Sequence, residues 1–259
     1  MSSENNGKPR GESEQFLSRV TSAIKGKIYL AYSYQAEDTV ALDMLVKSAA
    51  ADTGVFTLDT GKLFPELAAY HMEVEKFFGL SIERLHPDSS EVIELEAGQG
   101  EFGMRDSIEA RKHCCDIRKV RPLSRLLAGK SAWLTGLRAA QSVTRAGMRL
   151  LEYDEQFGLI KINPLVHWSE EDINEYIEKH GLPRNPLYEK GFRSIGCMPC
   201  TRPVREGEDI RAGRWWWEDP TQRECGCMVK QGQSKQQGQE PRQHSEKKHE
   251  RNSATIKLG

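Results

Sequence analysis

Ile28-Tyr29-Leu30-Ala31-Tyr32-Ser33-Tyr34-Gln35-Ala36-Glu37-Asp38-Thr39 passes from an apolar run through a polar loop into a helical pattern. Residues 28–34 read as a strand and 39–50 as the helix that follows. The alternation continues outward, with strands at 55–58, 82–85, 133–134 and 159–162 and helices at 65–78, 120–127 and 170–180. Pro65 suits a first helical turn, Gly79 a left-handed C-terminal residue, and Ser169 with Asp172 a capping box. Repeated strand, helix and strand predict an α/β fold: a parallel sheet with helices on both faces, binding ligands beyond the carboxyl ends of its strands.

The 259 residues, 37% of them apolar, suffice for one substantial core rather than two. Composition divides the chain into a polar arm at 1–13, a folded domain at 14–210, a mobile segment at 211–228 and a polar tail at 229–259, with arm and tail expected to be disordered. The net charge of −1 excludes a chain-wide field for nucleic acid. No apolar run approaches the roughly 20 residues of a membrane span, and the opening residues lack the pattern of a targeting peptide. A cytoplasmic address is therefore expected, where clustered cysteines read as metal or catalytic groups before disulfides.

Two loops at the expected ligand edge draw interest. The first carries Ser33, Gln35 and Asp38 at a helix start, where free N–H groups can hold a phosphate; a plain turn capped by Asp38 or Thr39 explains it too. The second, Leu58-Asp59-Thr60-Gly61, offers an acidic group and a glycine for close approach to a ribose or base, or simply a turn. Neither has the glycine pattern of a Rossmann dinucleotide site or a P-loop.

Cysteine spacing is the most specific signal. Cys114 and Cys115 are adjacent, and Cys197 and Cys200 flank a Met-Pro turn, a four-thiolate set that suits zinc or an iron–sulfur cluster. Adjacent ligands favour the larger cluster; a vicinal disulfide or buried thiols are the other readings. Arg111, Lys112, Arg118, Lys119, Arg121 and Arg125 surround the first pair with positive charge, as a solvated helix face also would. Arg138 and Arg145 follow the strand at 133–134. Arg211 and Arg214 precede Trp215-Trp216-Trp217, which cannot all face one core. Cys225 lies just before the polar tail, a place suited to a thiol that visits two partners or to an incidental surface cysteine.

Together these segments resemble the assimilatory adenylyl-sulfate and phosphoadenylyl-sulfate reductases of the cluster-bearing type. The segments that carry the likeness are Ser33 to Asp38, Leu58 to Gly61, Lys112 to Val120, Thr135 to Arg138, Cys197 to Cys200 and Arg211 to Glu218. The resemblance implies an adenine nucleotide alpha hydrolase-like fold with a modified PP-loop, spanning 14–210, and a catalytic segment at 211–228. It implies a 4Fe-4S cluster on Cys114, Cys115, Cys197 and Cys200, Lys119 between cluster and substrate, and Cys225 as nucleophile. Substrate contacts would come from Ser33, Gln35, Asp38, Leu58, Asp59, Gly61, Arg118, Arg138, Arg145, Arg211 and Arg214. The implied reaction reduces adenosine 5′-phosphosulfate to sulfite and AMP through a cysteine S-sulfonate, for cysteine biosynthesis, with thioredoxin or glutaredoxin as reductant. Neither nucleic acid nor membrane is implied as a partner, and a homo-oligomer is compatible.

The likeness departs at its end, where Cys227 and Met228 replace the family's Leu-His. Cys227 reads either as a resolving thiol for Cys225 or as a neutral replacement. Three further readings stand beside the main one: reduction of the 3′-phosphorylated substrate, a non-catalytic iron–sulfur or zinc redox sensor, and an ATP pyrophosphatase, whose Ser-Gly-Gly-x-Asp-Ser loop is missing.

Overall fold

The computed structural model describes residues 9–48 and 53–227. Six strands form one sheet: β1 (Ile28–Ala31), β2 (Thr53–Leu58), β3 (Glu83–Leu85), β4 (Ala132–Leu134), β5 (Leu151–Asp154) and β6 (Leu159–Ile162), in the order β3-β2-β1-β4-β6-β5. The first four neighbouring pairs are parallel, as expected. β5 corrects the purely parallel sheet, because it pairs antiparallel with β6 in a hairpin. Its Leu151 and Tyr153 are exposed between Glu152 and Asp154, so this edge strand offered no apolar run to read.

Side chains of β1 alternate between two cores, as the two-residue period of a strand requires. Ile28 and Leu30 face α2 (Ala36–Lys47), α3 (Glu66–Phe78) and α7 (Glu170–His180); Tyr29 packs with Phe56, Trp133 and the leucines of α6 (Arg121–Leu127). Helices thus cover both faces. α3 ends at left-handed Gly79 (φ 64°) and α7 opens with the Ser169–Asp172 capping box, as expected.

Three helices were not expected: α1 (Pro9–Ala23), α4 (Ser89–Gln99) and α5 (Ile108–Cys115). α1 begins inside the stretch assigned to the polar arm. It is held where Trp168 Nε1 donates to Ser13 Oγ (2.9 Å), which donates to the Pro164 carbonyl (2.8 Å). Residues 1–8 of that arm, Met228 and the tail at 229–259 lie outside the described residues. Among the described residues no helix is long and apolar enough to cross a membrane.

β2 and β3 lie on one side of β1 and β4 on the other, so the chain reverses direction across the sheet between β1 and β4. The loops after these two strands meet there without spare room. A Cβ on Gly136 would stand 2.5 Å from Asp38 Oδ1 and 2.8 Å from the Glu37 carbonyl carbon. Gly136→Ala should therefore destabilise the protein by about 1–3 kcal/mol, read as a lowered urea midpoint with unchanged slope.

Candidate active site

At the reversal point a cleft of about 180 Å³ opens at the carboxyl ends of the strands. Ser33, Gln35, Asp38, Leu58, Lys119, Arg145, Arg211, Arg214 and Cys225 all line it. The loop after β1 is bent at Tyr34, whose φ of 65° is left-handed, and enters α2 through Asp38. The Asp38 carboxylate accepts from Ser33 N and Oγ (2.7 Å each) and from Gln35 N (3.3 Å). The Gln35 side-chain amide donates to the Ile195 carbonyl (2.8 Å) and accepts from Ile195 N (3.2 Å).

Burial raises Asp38 from the ordinary 3.8 to about 6, against its hydrogen bonds. The folded state then holds this proton more tightly than the unfolded chain. Its contribution to stability, on the order of 3 kcal/mol, is complete below about pH 4 and lost as pH rises through about 6. Asp38→Asn should flatten the urea midpoint against pH across this interval.

A second, narrow cavity adjoins the cleft, and Cys114, Cys115, Cys197 and Cys200 all line it. The first pair ends α5, which Ser107 caps, and the chain continues through a π turn, Asp116–Val120, closed by Arg121 N–H on the Asp116 carbonyl. Such turns occur often at functional sites. Four residues after the cysteines, Arg118 and Lys119 return to the same cavity. The second pair lies on a short turn anchored by Met198 N to the Lys62 carbonyl and by Arg105 to the Pro199 carbonyl.

Lys119, Cys197 and Trp215 line both spaces. Burial disfavours the Lys119 charge, but Cys197, Cys225 and Cys115 outweigh it and raise its pKa. Cys225 is driven well down by hydrogen bonds from Cys115 and Cys227, with Lys119 assisting.

The donor set fits a polynuclear thiolate group. Four thiols in two pairs share a cavity with Arg111, Arg118 and Lys119, whose positive charge suits a group carrying several thiolates. Arg118 Nε and Trp215 Nε1, on the residues lining that cavity, are buried donors without a partner, as sulfur acceptors would require.

The segment carrying Cys225 is docked against the domain. Arg111, fully buried, stacks 4.5 Å from the Trp215 ring and donates to Glu218 Oε1 (2.5 Å) and to the carbonyls of Gln222 and Glu224 (3.0 Å each). Arg214 also stacks on Trp215, at 4.6 Å, and donates to the Ile195 carbonyl (2.9 Å). Trp216 and Trp217 meet edge to face beneath Arg105. The three tryptophans therefore divide between a buried ring among two arginines and a half-buried pair under a third.

Four expected contacts lie outside the cleft. Arg138 is drawn to the Glu37 carboxylate (2.8 Å) and lines a separate pocket. Arg118 ties the Thr60 carbonyl (2.7 Å) to Glu96 (2.6 Å). Asp59 accepts from Gly61 N (3.1 Å), closing their own turn. Unexpectedly, both carboxylate oxygens of Glu224 are held, by Arg145 Nε and Nη2 (3.1 Å each), with Arg211 at 3.3 Å. Although burial opposes it, this pair of arginines keeps Glu224 below the ordinary carboxylate range.

A family model described as the phosphoadenosine phosphosulfate reductase domain matches residues 27–203. The chain belongs to that family. Within the family, two relatives named adenosine 5′-phosphosulfate reductase resemble it strongly. The one from Allochromatium vinosum is 46% identical over 212 residues, 82% of each chain. The one from Neisseria meningitidis serogroup A is 44% identical over 225 residues, 83% of this chain and 92% of the relative. The solved phosphoadenylyl-sulfate reductase of Candida auris, in a phosphate complex, superposes with a TM-score of 0.60 at 24% identity, covering 76% of this chain and 96% of that one. The nucleotide hydrolase-like fold expected of the family is thus the fold of this member.

Proposed function

We propose that the chain reduces adenosine 5′-phosphosulfate to sulfite and AMP, with Cys225 as nucleophile and a separate dithiol protein of the thioredoxin or glutaredoxin kind as reductant. The observation that carries this reading is the convergence of Cys225, Lys119, Arg145, Arg211 and Arg214 on one cleft at the sheet reversal.

Phosphosulfate is a mixed anhydride whose leaving group, AMP, is already a good anion. The difficulty is to bring a thiolate to an anionic sulfur. Lys119 and the arginines lower that repulsion, and the Lys119 ammonium beside Cys225 favours thiolate over thiol. Attack forms the Cys225 Sγ–S bond and breaks the bond from sulfur to the phosphate oxygen. The resulting S-sulfonate is then cleaved by a dithiol, which is oxidised to a disulfide as sulfite leaves. Cys114, Cys115, Cys197 and Cys200 would hold a 4Fe-4S cluster, which when bound supplies fixed charge beside Lys119.

The test is anaerobic turnover of the purified protein with adenosine 5′-phosphosulfate, its 3′-phosphorylated form and ATP in parallel, with a dithiol present. Sulfite and AMP from the first substrate at the highest kcat/KM are expected. Faster sulfite release from the second would change the substrate, pyrophosphate from ATP would change the reaction, and no product from any would leave a sensor.

A further inference from the structure

We infer that Cys227 is a resolving thiol, which attacks the S-sulfonate on Cys225 and expels sulfite within the chain. The step deepens the proposed reduction and rests on it. The two sulfurs lie 3.5 Å apart, at the upper end of the roughly 3–3.5 Å from which well-oriented groups react. Both residues line the cleft, so the sulfite formed between them has a way out. Gly226, which lies between them in a turn, carries no side chain to resist closing the ring.

Burial makes the inner route the accessible one. Cys227 is 5% exposed, packed among Leu123, Leu127, Trp133 and Leu159, and Cys225 is half-buried on the segment that Arg111 clamps to the domain. An external protein thiol must wait for that segment to lift. Cys227 is already there, at the high effective concentration of an intramolecular partner.

The bonds balance. Cys227 Sγ bonds to Cys225 Sγ, the bond from Cys225 Sγ to the sulfonate sulfur breaks, and its electron pair leaves on sulfite, which takes up the thiol proton as bisulfite. Two thiol sulfurs are oxidised to a disulfide while the sulfonate sulfur is reduced. So small a ring is strained and therefore easily reduced by the external dithiol, which restores both thiols. A neutral apolar replacement at this position would instead fill the pocket and leave the adduct to the external thiol alone.

The experiment is one anaerobic turnover of the holoprotein with adenosine 5′-phosphosulfate and no reductant, following AMP, sulfite and intact mass. Wild type is expected to release AMP and sulfite in equal amounts and to finish two hydrogens lighter, with an alkylation-resistant tryptic peptide carrying Cys225 and Cys227. Cys227→Ser and Cys227→Ala are expected to stop at the adduct, heavier by one SO3, with sulfite at least about 10²-fold slower until dithiol is added. AMP release with a persistent adduct and no sulfite in wild type overturns the inference and leaves the reduction standing. No AMP and no adduct overturns both. The wild-type peptide decides the matter even if a variant misfolds.

Discussion

Cys225→Ser is expected to release no AMP from adenosine 5′-phosphosulfate above background, a loss of at least about 10³-fold in kcat, and to gain no mass. The hydroxyl fills nearly the same volume, so the cleft and its arginines stay in place. Serine lacks what makes the sulfur reactive: a thiolate accessible near neutral pH and favoured by the Lys119 ammonium. AMP should still bind, and equilibrium titration with AMP separates loss of chemistry from loss of the site. Sulfite production at the wild-type rate by the serine variant would remove Cys225 from the mechanism.

The second large effect should follow from Arg111→Met. Arg111 is wholly buried and Glu218 nearly so, at 0% and 3% side-chain exposure. Removing one partner of such a pair leaves a carboxylate without its charge, at a cost of about 3–5 kcal/mol. Here the cost falls on one segment, because the same guanidinium also holds the carbonyls of Gln222 and Glu224 and stacks on Trp215. The expected result is a segment that lifts from the domain, measured as faster tryptic cleavage at Arg223 and a fall in kcat/KM. Glu218→Gln should be milder, since its amide oxygen can still accept from Arg111. Wild-type kcat/KM in Arg111→Met would show that docking does not depend on this cation.

The elements with clean local signals were legible in the sequence. α7 at 170–180 and β6 at 159–162 fall where periodicity and capping place them, because their ends depend on their own residues. α5 was hidden in charge, its helical sequence bearing Arg111, Lys112 and His113 rather than an apolar stripe. For the site, spacing singled out the two cysteine pairs and the family resemblance named Cys225 and Lys119; the fold sets all of them on adjoining cavities. The partners of the arginines could not be read. Arg138 meets Glu37, Arg145 meets Glu224 and Arg111 meets Glu218 across 101, 79 and 107 residues, and nothing in an isolated arginine distinguishes a ligand contact from an internal ion pair. Glu224 carries no local signal either, because its two arginine partners lie outside its own stretch of sequence and meet it only in the fold.

That same carboxylate sets the terms on which an anion can enter. Arg145 and Arg211 are not bare charges awaiting a guest, since Glu224 already offsets one of their two charges from within. A phosphate or sulfate group arriving there would compete with Glu224 for the same donors rather than fill an empty place. The gain is then the difference between two anions on one cation pair, and few small ions are released from solution as the guest lands. Affinity for the nucleotide should accordingly vary less with ionic strength than the number of arginines around the cleft suggests.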